Sequence, residues 1–203
     1  MPLACHGNRR PYAFGMGRTY ATIDDQLARF LLSQPFFFVA SAPVSIDGLV
    51  NCSPKSNDGE LAVIDQHHVA YIDRTGSGVE TIAHLRENGR IVLVFCAFGG
   101  PPRIVRIHGR GSVLARDDSR FGQLAQSFAT GRILGARSII VVAAQRVSDS
   151  CGYGVPLMDF RAHRTQMAEW AERKGDEGIR QYWQSSNAVS LDGLPALGDI
   201  AEA

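Results

Sequence analysis

The sequence predicts a mainly β (α+β) fold, an antiparallel barrel with flanking helices. Three observations carry that expectation. Short runs rich in aromatic and β-branched residues recur along the chain, among them FFFVAS, IVLVFCAF, RIVRIHGRGSVL and SIIVVAAQRV, and such residues favour strands. Turn signals separate neighbouring runs, including Asp47-Gly48 and Gly99-Gly100-Pro101-Pro102, which puts the strands in hairpin order. Few helical patterns intervene, so roughly five to seven strands pair locally and no parallel α/β sheet is expected.

Each element follows from local pattern. Residues 24 to 34, DDQLARFLLSQ, set Leu27, Phe30 and Leu31 at helical spacing. Pro35 stops that helix, because it has no N–H to continue the ladder. FFFVASAPVS is a strand, Asp47-Gly48 a two-residue hairpin turn, and LVNCS the return strand. LAVID and HVAYID make a second pair around Asp65-Gln66. A helix is expected over Val79 to Asn88, closed by Asn88-Gly89. IVLVFCAF is a buried strand. RIVRIHGRGSVL alternates, with Arg106, His108 and Arg110 on one face and Val105 and Ile107 on the other. The basic face suits an anionic ligand or solvent equally. DDSRFGQLAQSFA is expected to be a helix with an acidic cap, and SIIVVAAQRV the last core strand. The soft boundary lies near residue 160. Residues 1–160 are the barrel with its N-terminal helix. Residues 161–203 are an arm, helical from Arg161 to Gln184 and broken at Gly175 and Gly178. Its Met167, Trp170, Ile179, Tyr182 and Trp183 suit packing on the same domain or on a partner subunit.

Bulk properties exclude several function classes. The 203 residues suit one domain with an appended arm. Apolar residues at 45% and charged residues at 20% are ordinary for a globular protein. A net charge of +1 leaves no broad cationic face for nucleic acid. No apolar run approaches the roughly 20 residues that span a bilayer. MPLACHGNRRPYAFGMGRTY lacks the apolar core of a secretion signal, so the expected location is the cytoplasm. The four cysteines, Cys5, Cys52, Cys96 and Cys151, are far apart and form no CxxC pair. Reduced, packed thiols are expected, with Cys52 and Cys96 inside apolar strands. His67 and His68 face opposite ways on a strand and cannot easily share one ion. No HExxH or CxxC partner exists, so no metal site is expected. No G-x-S-x-G elbow supports a hydrolase.

Chemistry concentrates in DRTGSGVETIAHLREN, residues 73 to 88. Thr75, Ser77 and Thr81 supply hydroxyls. Gly76 and Gly78 let backbone N–H groups face a ligand without a Cβ in the way. The following helix adds its first unpaired N–H groups. Together these make an anion site, most naturally for phosphate. The helix dipole contributes only roughly 0.3–1 kcal/mol, so side chains must help. Glu80 opposes an anion and would cap its helix or bind a ribityl-type hydroxyl. The competing account is a plain Ser77-x-x-Glu80 capping box. In NCSPKSNDG, Lys55 follows Pro54 and could reach a phosphate as a point charge, or could be a solvated loop lysine. In Cys151-Gly152-Tyr153-Gly154-Val155-Pro156, Tyr153 is a ring stacker or proton donor near a pocket, or part of a bulge turning the chain toward the arm.

The order of these segments resembles one family. A helix precedes FFFVASAP-x-x-x-DG-x-V-N-x-S-P-K; then come Y-I-D-x-T-G-S-G-x-E-T, H-L-R-E-N-G-R, I-V-L-V-F-C-A-F, G-P-P-R-I and H-G-R-G. Over roughly residues 16 to 160 this is similar to the pyridoxamine 5'-phosphate oxidase-like, FMN-binding split barrels. The resemblance implies a six-stranded antiparallel split β-barrel. It further implies a homodimer with FMN in a groove at the subunit interface and a small-molecule substrate. It implies that Asn51, Ser53 and Lys55 run along the flavin toward its phosphate. Ser77 matches the serine of the family's phosphate turn, which also holds Thr75, Gly76, Gly78 and Thr81. The chain departs from that pattern where Gly78 and Val79 stand in place of basic residues after the serine. Phosphate binding would then draw on backbone N–H groups, hydroxyls and Lys55, with Arg74 or Arg110. The chain also ends in LDGLPALGDIAEA, without the arginine-bearing strand of the authentic oxidases. The implied function is an FMN-dependent oxidoreductase that moves a hydride or electrons to or from a small molecule. The alternative is a non-catalytic flavin-, deazaflavin- or haem-binding split barrel.

Overall fold

The computed structural model describes residues 17–197. In chain order the elements are β1 (Thr19–Tyr20), α1 (Asp25–Ser33), β2 (Phe36–Ser41), β3 (Asn51–Ser56), β4 (Leu61–Val63) and β5 (His68–Arg74). Then follow α2 (Glu80–Glu87), β6 (Arg90–Cys96), β7 (Ile104–Ala115), α3 (Phe121–Ala125), β8 (Ala136–Ser150) and α4 (Gln166–Ser186). The strands form one eight-stranded sheet in the order β3-β2-β6-β7-β8-β5-β4, with β1 paired to β8. All pairings are antiparallel. The sheet curls into a split barrel whose free edges are β3 and β4. The count exceeds the expected six because β1 and β4, pieces of two and three residues, also pair.

Local chemistry explains the elements. Asp24 caps α1 by accepting the N–H of Leu27 at 2.8 Å, and Leu27 and Leu31 face the core. β2 alternates, sending Phe37, Val39 and Ser41 inward. Phe37 stacks on Phe95 and meets Tyr71 edge-on. Burying one such ring stabilises by roughly 1.5–3 kcal/mol. β8 carries two bulges, which bend a strand and re-aim side chains. Against β7, His108 faces Arg146 and Gly109 faces Ala144, so Gln145 is the extra residue. Against β5, Asp73 faces Ser138 and Arg74 faces Ala136, so Arg137 is extra.

Several expectations need correction. Ser41 pairs with Asn51, so residues 42–50 form the β2–β3 connection and Asp47-Gly48 is not a two-residue hairpin. Gly48 instead closes a small turn on the carbonyl of Ser45. α3 has no acidic cap, because Asp118 directs its carboxylate to the backbone and guanidinium of Arg120. Gly175, at φ 65, kinks α4, whereas Gly178 stays helical. The alternation that turns Asn51, Ser53 and Lys55 inward leaves Cys52 exposed. Cys96 is half-buried, and burial pushes its thiol pKa up. Cys5 lies outside the described residues.

Gly109 shows how tightly β7 and β8 approach at the Gln145 bulge. A Cβ there would sit 2.3 Å from the carbonyl oxygen of Ala143, which is backbone and cannot swing aside. Gly109→Ala is therefore expected to destabilise by about 3 kcal/mol. Urea unfolding should show a lower midpoint at unchanged m-value.

Candidate functional site

The turn from Thr75 to Val79 joins β5 to α2, and its geometry begins with Asp73. Asp73 is fully buried at 0% exposure, and a charge there must be paired. Lys55 of β3 donates to it at 2.7 Å, and Arg137 of β8 donates through Nε at 2.7 Å. Arg137 reaches it because the bulge takes its side chain out of the strand alternation. Burial raises the pKa of Asp73, but the charges and hydrogen bonds of Arg137 and Lys55 outweigh it and hold the carboxyl at about 2. Two cations and one carboxylate leave one formal positive charge beneath the turn.

The same guanidinium shapes the turn. Arg137 donates through Nη2 to the carbonyl of Gly78 at 2.8 Å and through Nη1 to Oδ1 of Asn187 at 3.0 Å. Asn187 donates to the carbonyl of Gly76 at 3.0 Å. The Thr75 hydroxyl donates to the carbonyl of Gly135 at 2.9 Å and accepts from the indole of Trp183 at 2.8 Å. The end of α4 is thus built into this turn. On its other side Ser77 and Gly78 are exposed, and a Cβ at Gly76 would meet nothing within 4 Å. Among the described residues, the N–H groups of Ser77 and Val79 donate to no protein acceptor.

The inner face of β3 flanks the turn. Asn51 donates to the hydroxyl of Thr81 at 2.9 Å, and Ser53 donates to Asn51 at 3.0 Å. Behind them lies His84, fully buried, with Nδ1 2.9 Å from the hydroxyl of Ser41. Burial pushes the pKa of His84 down, against the pull of Asp192, Glu80 and Glu87. Among the described residues its Nε2 has no hydrogen-bond partner, and Oδ2 of Asp192 stands 4.0 Å away.

Asn51, Ser53, Lys55, Thr75, Gly76, Ser77, Gly78 and Thr81 therefore gather in one place. Arg74 and Arg110 do not join them. Arg74 pairs with Glu60 at 2.7 Å and donates to the carbonyls of Leu134 and Arg132. Arg110 bonds the carbonyl of Asn88, at the opposite end of α2, roughly 12 Å along the helix. Lys55 is in place, but Asp73 meets its charge. The Ser77-x-x-Glu80 capping box does not form, since Val79, not Ser77, is the N-cap of α2 and no side chain caps the helix. Glu80 instead folds over Gly78, with Oε2 2.5 Å from where a Cβ would stand. Sequence reasoning missed Asp73, Arg137, Trp183, Asn187 and His84 as parts of the site. The aspartate in the apolar run AYID was the available signal, because a buried carboxylate calls for a cation. Among the described residues no cluster could hold a metal ion, and no helix is long and apolar enough to cross a membrane.

The family model described as pyridoxamine 5'-phosphate oxidase matches residues 23–151. A pyridoxamine 5'-phosphate oxidase family protein of Aspergillus flavus, ustO, is 39% identical over 192 residues, covering 88% of this chain and 77% of that protein. Among solved structures, HupZ of Group A Streptococcus is 19% identical with a TM-score of 0.48, covering 62% of this chain and 91% of that one. An FMN-binding protein from Syntrophomonas wolfei is 16% identical with a TM-score of 0.46, covering 66% of this chain and 86% of that one.

The paired carboxylate sets an acid dependence. The pKa of Asp73 falls on folding from 3.8 to about 2, so its stabilisation is full above pH 3.8 and is lost as pH falls through 2. That difference amounts to about 2 kcal/mol. Asp73→Asn should abolish this part of the acid titration. At neutral pH it should cost about 3–5 kcal/mol, because Lys55 and Arg137 lose their shared partner. Denaturant unfolding across pH 2–7 checks both outcomes.

Proposed function

The chain belongs to the pyridoxamine 5'-phosphate oxidase family, and we propose that it is an FMN-dependent oxidoreductase acting on a small molecule. The observation that carries the proposal is the Thr75–Val79 turn. It offers two N–H groups without protein acceptors, the exposed hydroxyl of Ser77 and open space at Gly76. Beneath it lies a buried cluster with one surplus positive charge. Such a donor set fits the terminal phosphate of FMN, with main-chain N–H groups doing what basic side chains do elsewhere. Ser77, Gly76 and Gly78 would meet the phosphate. Asn51 and Ser53 would flank the flavin, and Lys55 would act through the buried charge. Thr75 and Thr81 would hold the scaffold, their hydroxyls being engaged within the protein. Bound FMN supplies the hydride or electron transfer, and the protein supplies binding and orientation.

The working unit is proposed to be a homodimer with FMN at the subunit interface. Val44, Ile46, Leu49 and Val50 are exposed on one connection, and Leu157, Met158 and Phe160 ahead of α4. Exposed apolar patches of this kind mark association surfaces. A second reading, a non-catalytic binder of flavin, deazaflavin or haem, draws on the mutual engagement of Lys55, Asp73 and Arg137, which ties all three into one structural ion cluster. Reduction of the bound flavin by a reduced nicotinamide, followed by reoxidation by a small-molecule acceptor, separates the two.

The purified protein is expected to show a flavin absorption band or to take up FMN on titration, at a mass twice the 22.1 kDa of one chain. A colourless protein with no FMN uptake would defeat the proposal. Ser77→Ala should weaken FMN binding about tenfold, the loss of one hydrogen bond to a charged group. Isothermal titration reads this directly.

A further inference from the structure

Asn187 lies beyond residues 23–151, the part of the chain that the family model matches, yet it reaches into the turn. We propose that Asn187, together with Arg137, is a positioning residue for the flavin phosphate, one that fixes the direction of the turn's N–H groups. This rests on the FMN assignment made above.

In a trans peptide the carbonyl and the following N–H point to opposite sides, and no described peptide is cis. Asn187 holds the carbonyl of Gly76 at 3.0 Å, so the N–H of Ser77 faces away from it. Arg137 holds the carbonyl of Gly78 at 2.8 Å, so the N–H of Val79 faces away as well. Arg137 and Asn187 touch each other at 3.0 Å and so stand on one side of the turn. The N–H of Ser77 is thereby aimed at the opposite side, where Ser77 and Gly78 are exposed, and the N–H of Val79, a buried residue, points away from Arg137 just beneath that surface. Glycine lets either peptide plane flip at little steric cost. A flipped plane would present a carbonyl oxygen to an arriving phosphate and repel it. Asn187 suits the task because it is wholly buried at 0% exposure and carries no charge. Its own N–H caps α4 by donating to the carbonyl of Trp183 at 2.9 Å, and Nδ2 also contacts the carbonyl of Ser186 at 3.0 Å. A buried amide bonded on every side has one orientation.

The consequence is selective. Two aimed N–H groups matter to a phosphate and hardly at all to the neutral ring system. Isothermal titration of the full chain with FMN and with riboflavin therefore tests it. The wild type should prefer FMN. Asn187→Ala should lower the ratio of FMN to riboflavin affinity about tenfold while leaving riboflavin binding in place. Ile179→Ala, a core truncation in the same helix, should lower the melting temperature and keep the ratio. An unchanged ratio in Asn187→Ala, or equal weakening of both ligands, overturns the positioning role. A wild type that binds neither ligand, or both equally, overturns the phosphate site itself, and the positioning role falls with it. Amide NMR of the wild type decides the matter should Asn187→Ala fail to fold. The Ser77 and Val79 N–H resonances should move downfield and gain exchange protection with FMN but not with riboflavin. Resonances that FMN leaves in place overturn the proposal.

Discussion

One buried carboxylate holds this structure together. Asp73 accepts from Lys55 on β3, an edge of the sheet, and from Arg137 on β8, which neighbours its own strand. Backbone hydrogen bonds stop at the edges β3 and β4, so this ion pair spans the split that the ladder leaves open. Arg137 then carries the constraint onward to Gly78 and Asn187. Sheet, turn and arm therefore meet within the reach of one guanidinium. Removing three charges from water is expensive, and a well-packed apolar trio is often as stable as a buried ion cluster. An apolar trio could not hold the carbonyl of Gly78 and the side-chain amide of Asn187. The directional fork of Arg137 is what an apolar replacement would lose.

What the sequence disclosed tracks the range of the interactions. α1, the core strands and α2 rest on local periodicity and caps, and they stand where the residues put them. The turn was visible too, because Thr75-Gly76-Ser77-Gly78 carries its chemistry within a few residues. The clamp was not. Trp183 reaches Thr75 across 108 residues, Asn187 reaches Gly76 across 111, and Arg137 reaches Gly78 across 59. Arg137 was further hidden by the bulge, since strict alternation would send it to the other face of β8. Arg74 and Arg110 show the converse failure. In a sequence every arginine counts as an available cation, but Glu60 and a set of main-chain carbonyls had already engaged these two. Asp47-Gly48 failed for a local reason, its turn being absorbed into a longer connection.

The absence of basic residues at 78 and 79 changes what kind of anion site the turn can be. A lysine or arginine touching a phosphate attracts any anion that arrives, over a distance set by salt. Here the positive charge is buried behind the peptide chain, where salt screens it weakly, and its excess is a single unit. Glu80, folded over Gly78, opposes it from outside. For the phosphate site proposed above, attraction would therefore be modest, and selectivity would fall to geometry, to the direction in which two peptide planes are held. Geometry of that kind must be held from behind, because glycine does not hold it. The arm supplies that support through a neutral side chain, which adds no charge to a balance already close to even.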